Sequence, residues 1–83
     1  MAETLHLRKL LTDPREAVRP NDKITIKVFD SQGDGNLVKI IKLRGLYDSK
    51  INKVLKDYGN YEVTFTEYDV LNKIVITEIS PII

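Results

Sequence analysis

The residues with most chemical promise are the run Asp30-Ser31-Gln32-Gly33-Asp34-Gly35-Asn36. Oxygen-bearing side chains recur at every second position from Asp30 to Asp34 and a glycine follows, as at the front of a calcium loop. Such a loop closes on a bidentate glutamate at its twelfth position, where this chain has Ile41. Glycine, aspartate and asparagine are also the residues that tolerate the backbone of a tight turn, so the run predicts a hairpin loop. Gly33-x-Gly35 has no further glycine and no Lys-Ser/Thr pair, which excludes a phosphate-binding loop on residue type. His6 is the sole histidine, with no second histidine or cysteine to share a metal and no triad arrangement around it; it reads as an exposed residue of a first helix. The chain has no cysteine, so disulfides, thiol catalysis and cysteine-based zinc sites are excluded. No pair of titratable groups is driven together by spacing. The sequence therefore predicts no enzyme, no cofactor and no metal site.

Binding chemistry is better represented. Lys50, Lys53 and Lys56 lie along one flank of a helical pattern, and Lys23, Lys27, Lys39, Lys42 and Arg44 fall on a strand pair. If Lys23, Lys42, Arg44, Lys50, Lys53 and Lys56 converge, they can contact phosphates, each neutralised charge adding a salt-dependent increment. Glu62, Glu67, Glu78 and Asp57 counter them, and lysine-rich helix faces are common solvated surfaces. Tyr47, Tyr61 and Tyr68 are candidates for a protein interface, where tyrosine is favoured, or for the rim of a small core. Phe29, with Lys27 and Lys39 nearby, completes the candidate partner-binding set; Phe29 beside Ile41 or Leu43 across the hairpin would form an exposed apolar patch.

These residues sit on a chain of 83 residues, long enough for one domain over its whole length, residues 1–83. Hydrophobic residues make up 42% and charged residues 30%, as in a folded globular protein. Thirteen basic and 12 acidic residues leave a net charge of +1, too little for a long-range field toward nucleic acid or anionic membrane. Met1-Ala2-Glu3-Thr4-Leu5-His6 lacks the pattern of a secretory signal, and the apolar runs are far shorter than the ~20 residues that span a bilayer. No membrane association is expected. The absence of cysteine favours a reducing cytoplasm.

Leu7, Leu10 and Leu11 form an i, i+3, i+4 stripe with Thr4 placed to cap it, and Pro14 should end that helix. Asp13-Pro14 is suited to start a second short turn through Arg15–Val18. Lys23–Asp30 alternates, with Ile24, Ile26 and Val28 on one face; Leu37–Arg44 is the returning strand. Ile51, Val54, Leu55 and Tyr58 mark one face of a second helix, with Asp48 or Ser49 as cap and Gly59 at the left-handed C-terminal position. Tyr61–Glu67 alternates again, with Tyr61, Val63 and Phe65 on one face and Phe65 read as core; Lys73–Ile79 is the last strand. The expected fold is α+β: helix-hairpin-helix-hairpin (αββαββ), one mostly antiparallel four-stranded sheet, the second helix packed on one face. The opposite face should carry mainly Thr, Lys and Glu.

A Leu-rich opening helix, a strand Ile24-Thr25-Ile26-Lys27-Val28-Phe29-Asp30, a Gly-Asn turn, Arg44-Gly45-Leu46-Tyr47-Asp48 into a helix and a closing Lys73-Ile74-Val75-Ile76-Thr77-Glu78-Ile79 make up most of the chain. This layout resembles the small phage- and prophage-encoded proteins of Gram-positive bacteria. The resemblance implies an intracellular phage accessory protein, in the host cell cytoplasm, that binds and inhibits or redirects a host or defence factor. It assigns no functional residue. The expected function is thus a non-enzymatic protein-binding module. The alternatives are a nucleic-acid-binding protein using the lysines above, and a structural virion or homo-oligomeric protein. A sheet edge offers backbone groups to a partner and equally to a second copy, as a homodimer.

Overall fold

Alternating apolar residues build the centre of the sheet. In the computed structural model, which describes residues 4–16 and 18–82, Ile24, Ile26 and Val28 of β1 (Lys23–Phe29) are buried on one face. Val75, Thr77 and Ile79 of β4 (Ile74–Ser80) are buried on that same face, through the pairs Ile24↔Val75, Ile26↔Thr77 and Val28↔Ile79. These two strands run parallel at the middle of a four-stranded sheet of order β2-β1-β4-β3. Each pairs antiparallel with its hairpin partner, β2 (Leu37–Leu43) or β3 (Glu62–Asp69). The sheet is therefore mixed, which corrects the mostly antiparallel arrangement expected. Composition accounts for part of this: β4, richest in β-branched apolar residues, takes a central place and β3, with three acids, an edge. β1 and β2 are alike in composition, so the pairing of β1 with β4 is set by tertiary contacts.

Two helices cover the buried face. α1 (Leu7–Thr12) contributes Leu7, Leu10 and Leu11, and α2 (Ile51–Tyr58) contributes Val54, with Ile51, Leu55 and Tyr58 half-buried beside them. The leucine stripe of α1 thus supplies more deeply buried side chains than the stronger helical pattern of α2. Thr4 does not cap α1. Leu5 and His6 first run beside the start of β3, with Val63 N–H donating to the Leu5 carbonyl (2.7 Å) and Leu7 N–H to the Tyr61 carbonyl (3.0 Å). The helix begins only after His6, which is half-buried and bridges to Glu62 instead of projecting from a helix face. α1 ends at Thr12, with Asp13 extended before Pro14 as proline requires. Asp13 does cap a turn, its carboxylate accepting the Arg15 N–H (2.9 Å); the rest of the expected turn includes Ala17, which lies outside the described residues.

The entry to α2 is organised by Asp48, buried at 7% exposure, whose carboxylate accepts the N–H groups of Arg44 and Lys50 (2.9 Å each). It caps the turn leading into the helix, one step ahead of the regular helical residues. Those two backbone donors hold its carboxyl below the ordinary aspartate value. Gly59 is not left-handed but helical, at φ −57° and ψ −29°. A side chain there would collide with the Leu55 carbonyl and with the Arg8 guanidinium, which donates to that same carbonyl at 2.9 Å. Close approach, not positive φ, is what the position asks of glycine.

Both edge strands contain a bulge. On β2, Val28 pairs with Lys39 and Phe29 with Leu37, so Val38 has no residue opposite. On β3, Val63 pairs with Ile79 and Phe65 with Glu78, leaving Thr64 as the extra residue. An extra residue flips the facing of all that follow it. Thr66 and Tyr68 therefore turn toward the helix-covered face, opposite Thr77 and Val75, and Phe65 is delivered to the open face, 48% exposed. This corrects the expectation of Phe65 as core. The open face carries Thr25, Lys27, Lys42, Glu67 and Glu78 as expected, but also Ile40, Phe65, Ile74 and Ile76.

Candidate docking surface

The Gly/Asp run closes the β1–β2 hairpin, with Asp30 turned back on the loop and Gln32 tied to β3. Asp30 accepts the Asn36 N–H at 2.8 Å through its carboxylate, and its own N–H donates to the Asn36 carbonyl at 3.0 Å. Gln32 reaches across to Glu62 (2.6 Å), and Gly33 takes φ +71°. Among the described residues no group of three or more His, Asp or Glu is placed to hold a metal ion.

Of the basic residues singled out in the sequence, Lys39, Lys50 and Lys53 converge, together with the backbone of Lys42. They line one shallow groove of about 290 Å³ between β2 and α2, with Ile41 and Val54 at its base and Tyr58 and Asp57 along its wall. Strand alternation puts Lys39 on the helix-covered face with buried Ile41, and Lys42, opposite Thr25, on the open face, so Lys42 meets the groove through its backbone. Lys50 and Lys53 flank the face of α2 that buries Val54. The ammonium groups of Lys39, Lys50 and Lys53 are already lightly engaged. Lys50 Nζ donates to the Lys42 carbonyl (2.6 Å), Lys53 pairs with Asp57 (3.2 Å), and Lys39 Nζ lies 6.0 Å from the Tyr58 ring centroid. An exposed i, i+4 pair such as Lys53–Asp57 is worth only about 0.3–0.5 kcal/mol, so it yields readily to a better partner. Lys23, Arg44 and Lys56 do not line this groove. Arg44 follows β2 and stands 3.7 Å from Asp48.

The candidate partner-binding residues divide. Lys27 and Phe29 lie on the open sheet face, but Phe29 pairs with Leu37, not with Ile41 or Leu43, which are buried on the other face. Tyr47 (85% exposed) and Tyr68 line one open cavity at the end of the sheet near the β3–β4 turn, with Pro14, Arg19 and Val70. Burial raises the Tyr68 hydroxyl above its ordinary value, and the nearby Glu16 charge adds to this. Tyr61 is half-buried and packs edge-on against Tyr58, ring centroids 5.1 Å apart, so it belongs to the core rim.

The sequence reading missed Val38 and Ile40, which are 59% and 50% exposed on the edge strand β2. The signal was present in the nearly unbroken apolar run of residues 37–43, longer than a strand with one solvated face needs. It also missed the charge split between the edges. β2 carries Lys39 and Lys42 and no acid; β3 carries Glu62, Glu67 and Asp69 and no base. Among the described residues no helix is long and apolar enough to cross a membrane. Comparison of the chain with family models, with curated proteins and with solved structures finds no match.

Proposed function

We propose that this protein is a non-enzymatic protein-binding module that presents the outer edge of β2 to its partner. The observation that supports this most is the edge itself: β2 pairs on one side only, and Val38 and Ile40 remain exposed on it. Unpaired strand edges with apolar side chains are used in recognition by strand addition. The resemblance to phage- and prophage-encoded proteins points to a host or defence factor as the partner, met in the host cytoplasm. The test compares capture from host lysate by the wild type and by a Val38→Lys/Ile40→Lys variant with an unchanged circular dichroism spectrum. A protein retained by the first and lost by the second supports the reading. Capture of the same protein by both refutes it.

A second reading, nucleic-acid binding, is favoured by the convergence of Lys39, Lys50 and Lys53. It predicts that a labelled single-stranded oligonucleotide binds at low ionic strength and is released steeply as salt rises. Absence of binding at low ionic strength eliminates it.

A further inference from the structure

We infer that the groove between β2 and α2 is built for an extended, acidic peptide segment of a partner protein, added as a fifth strand on the β2 edge. This rests on the protein-binding reading above and names the chemistry of the partner.

The backbone sets the geometry. The Lys23 N–H donates to Lys73 at the β4 side of the sheet (2.8 Å), so the odd residues of β1 address β4 and its even residues address β2. In an antiparallel pair, donor and acceptor of one residue point the same way. Ile41 and Leu43, opposite Ile26 and Ile24, therefore bond inward, while Ile40 and Lys42 turn their backbone groups outward. The Lys50 ammonium on the Lys42 carbonyl shows that outward direction independently. An incoming strand finds the N–H and C=O of Ile40 and the N–H of Lys42 in register.

Side chains then choose the occupant. One set of side chains on such a strand drops toward Ile41, Val54 and Tyr58; the other lies beside Ile40 on the open face. Carboxylates on the groove side of such a strand meet Lys39, Lys50 and Lys53, and one on its open-face side meets Lys42. The opposite edge is unsuited to the same peptide: residues 5–7 cover the start of β3, and Glu62, Glu67 and Asp69 repel acid there. A nucleic acid fits less well. Single-strand binding relies on open aromatic faces, and Tyr58, the aromatic lining the groove, is half-buried with Tyr61 packed edge-on and Lys39 near its face.

The test is fluorescence anisotropy with a short labelled peptide of alternating valines flanked by glutamates, its lysine-flanked counterpart, and a labelled single-stranded oligonucleotide. The acidic peptide is expected to bind, weaken with salt, and lose about tenfold or more in the Lys39→Glu/Lys42→Glu variant, each exposed pair being worth up to about fivefold. Amide exchange on the wild-type complex should show the Ile40 and Lys42 N–H groups newly protected, a readout that stands even if the variant fails to fold. Equal binding of both peptides, no binding of the acidic one at low salt, or binding of the oligonucleotide alone overturns the inference. So does light scattering that shows a second copy already occupying the edge. Failure here with a lysate partner still lost by Val38→Lys/Ile40→Lys would remove the acidic peptide and leave the protein-binding reading standing.

Discussion

Phe65→Ala separates a bulged β3 from a regular one. Fully burying a phenylalanine side chain is worth about 1.5–3 kcal/mol, and Phe65 keeps 48% of its surface in water. With the weaker strand preference of alanine included, the substitution should cost about 1–1.5 kcal/mol. On an unbulged strand Phe65 would share the buried face with Val63, where truncation to alanine costs about 3–5 kcal/mol. Urea unfolding followed by circular dichroism resolves that gap, provided the slope of the transition is unchanged. The companion change Thr77→Val probes the same bulge from β4. Thr77 is fully buried and its hydroxyl donates to the Phe65 carbonyl at 3.1 Å, directly beside the extra residue. Its removal should cost about 1–3 kcal/mol despite the near-identical shape of valine. A loss of 3 kcal/mol or more for Phe65→Ala, set against the ~1 kcal/mol expected, together with a neutral Thr77→Val, would refute the bulge and the open-face placement.

Leu10, 1% exposed, should lose about 2–5 kcal/mol on Leu10→Ala, more than Ile51→Ala on the half-buried face of α2; the reverse order in denaturant unfolding would contradict the role given to α1. Ser80 Oγ is buried with no hydrogen-bond partner among the described residues, so Ser80→Ala should raise stability by about 1 kcal/mol, and a lowered melting temperature would show that the hydroxyl is bonded. The Asp48 carboxyl is held below its ordinary value, so its stabilising contribution is present above the unfolded pKa of about 3.9 and is lost as pH falls through the lower folded value. The stability gap between wild type and Asp48→Asn should therefore narrow between neutral pH and pH below about 4, and a gap independent of pH would exclude the charge as its source.

Much of the fold could be read from local pattern. The alternation of Ile24, Ile26 and Val28 located β1 and its facing, because period two has one physical solution when one face is buried. The α2 stripe and the stop at Pro14 followed equally from local rules. What escaped reading depends on partners remote in sequence. The parallel pairing of β1 with β4 joins residues some fifty positions apart, and neither strand carries a local mark of its neighbour. The bulge at Thr64 leaves no turn residue behind, so Tyr61, Val63 and Phe65 look continuous although the third faces away from the second. The leucine stripe that begins at Leu7 places His6 on a helix by local pattern alone; its pairing with Glu62 is a tertiary contact. The groove lysines were each legible, but their convergence depends on α2 packing across the β2 side of the sheet.

The two edges are protected to different degrees, and that difference favours one as a docking site. Free edges invite unwanted pairing, and bulges and lysines are among the ordinary defences against it. β3 is bulged at Thr64, covered at its start by residues 5–7, and acidic along its remainder. β2 is bulged only at Val38, near its beginning, and stays regular from Lys39 to Leu43 with Ile40 exposed. Its lysines deter a second β2 edge, since like charges placed opposite each other destabilise a strand pair. They do not deter an acidic strand. On the proposed reading, the lysines that disfavour a like-charged second edge also set the charge of the strand that would dock there.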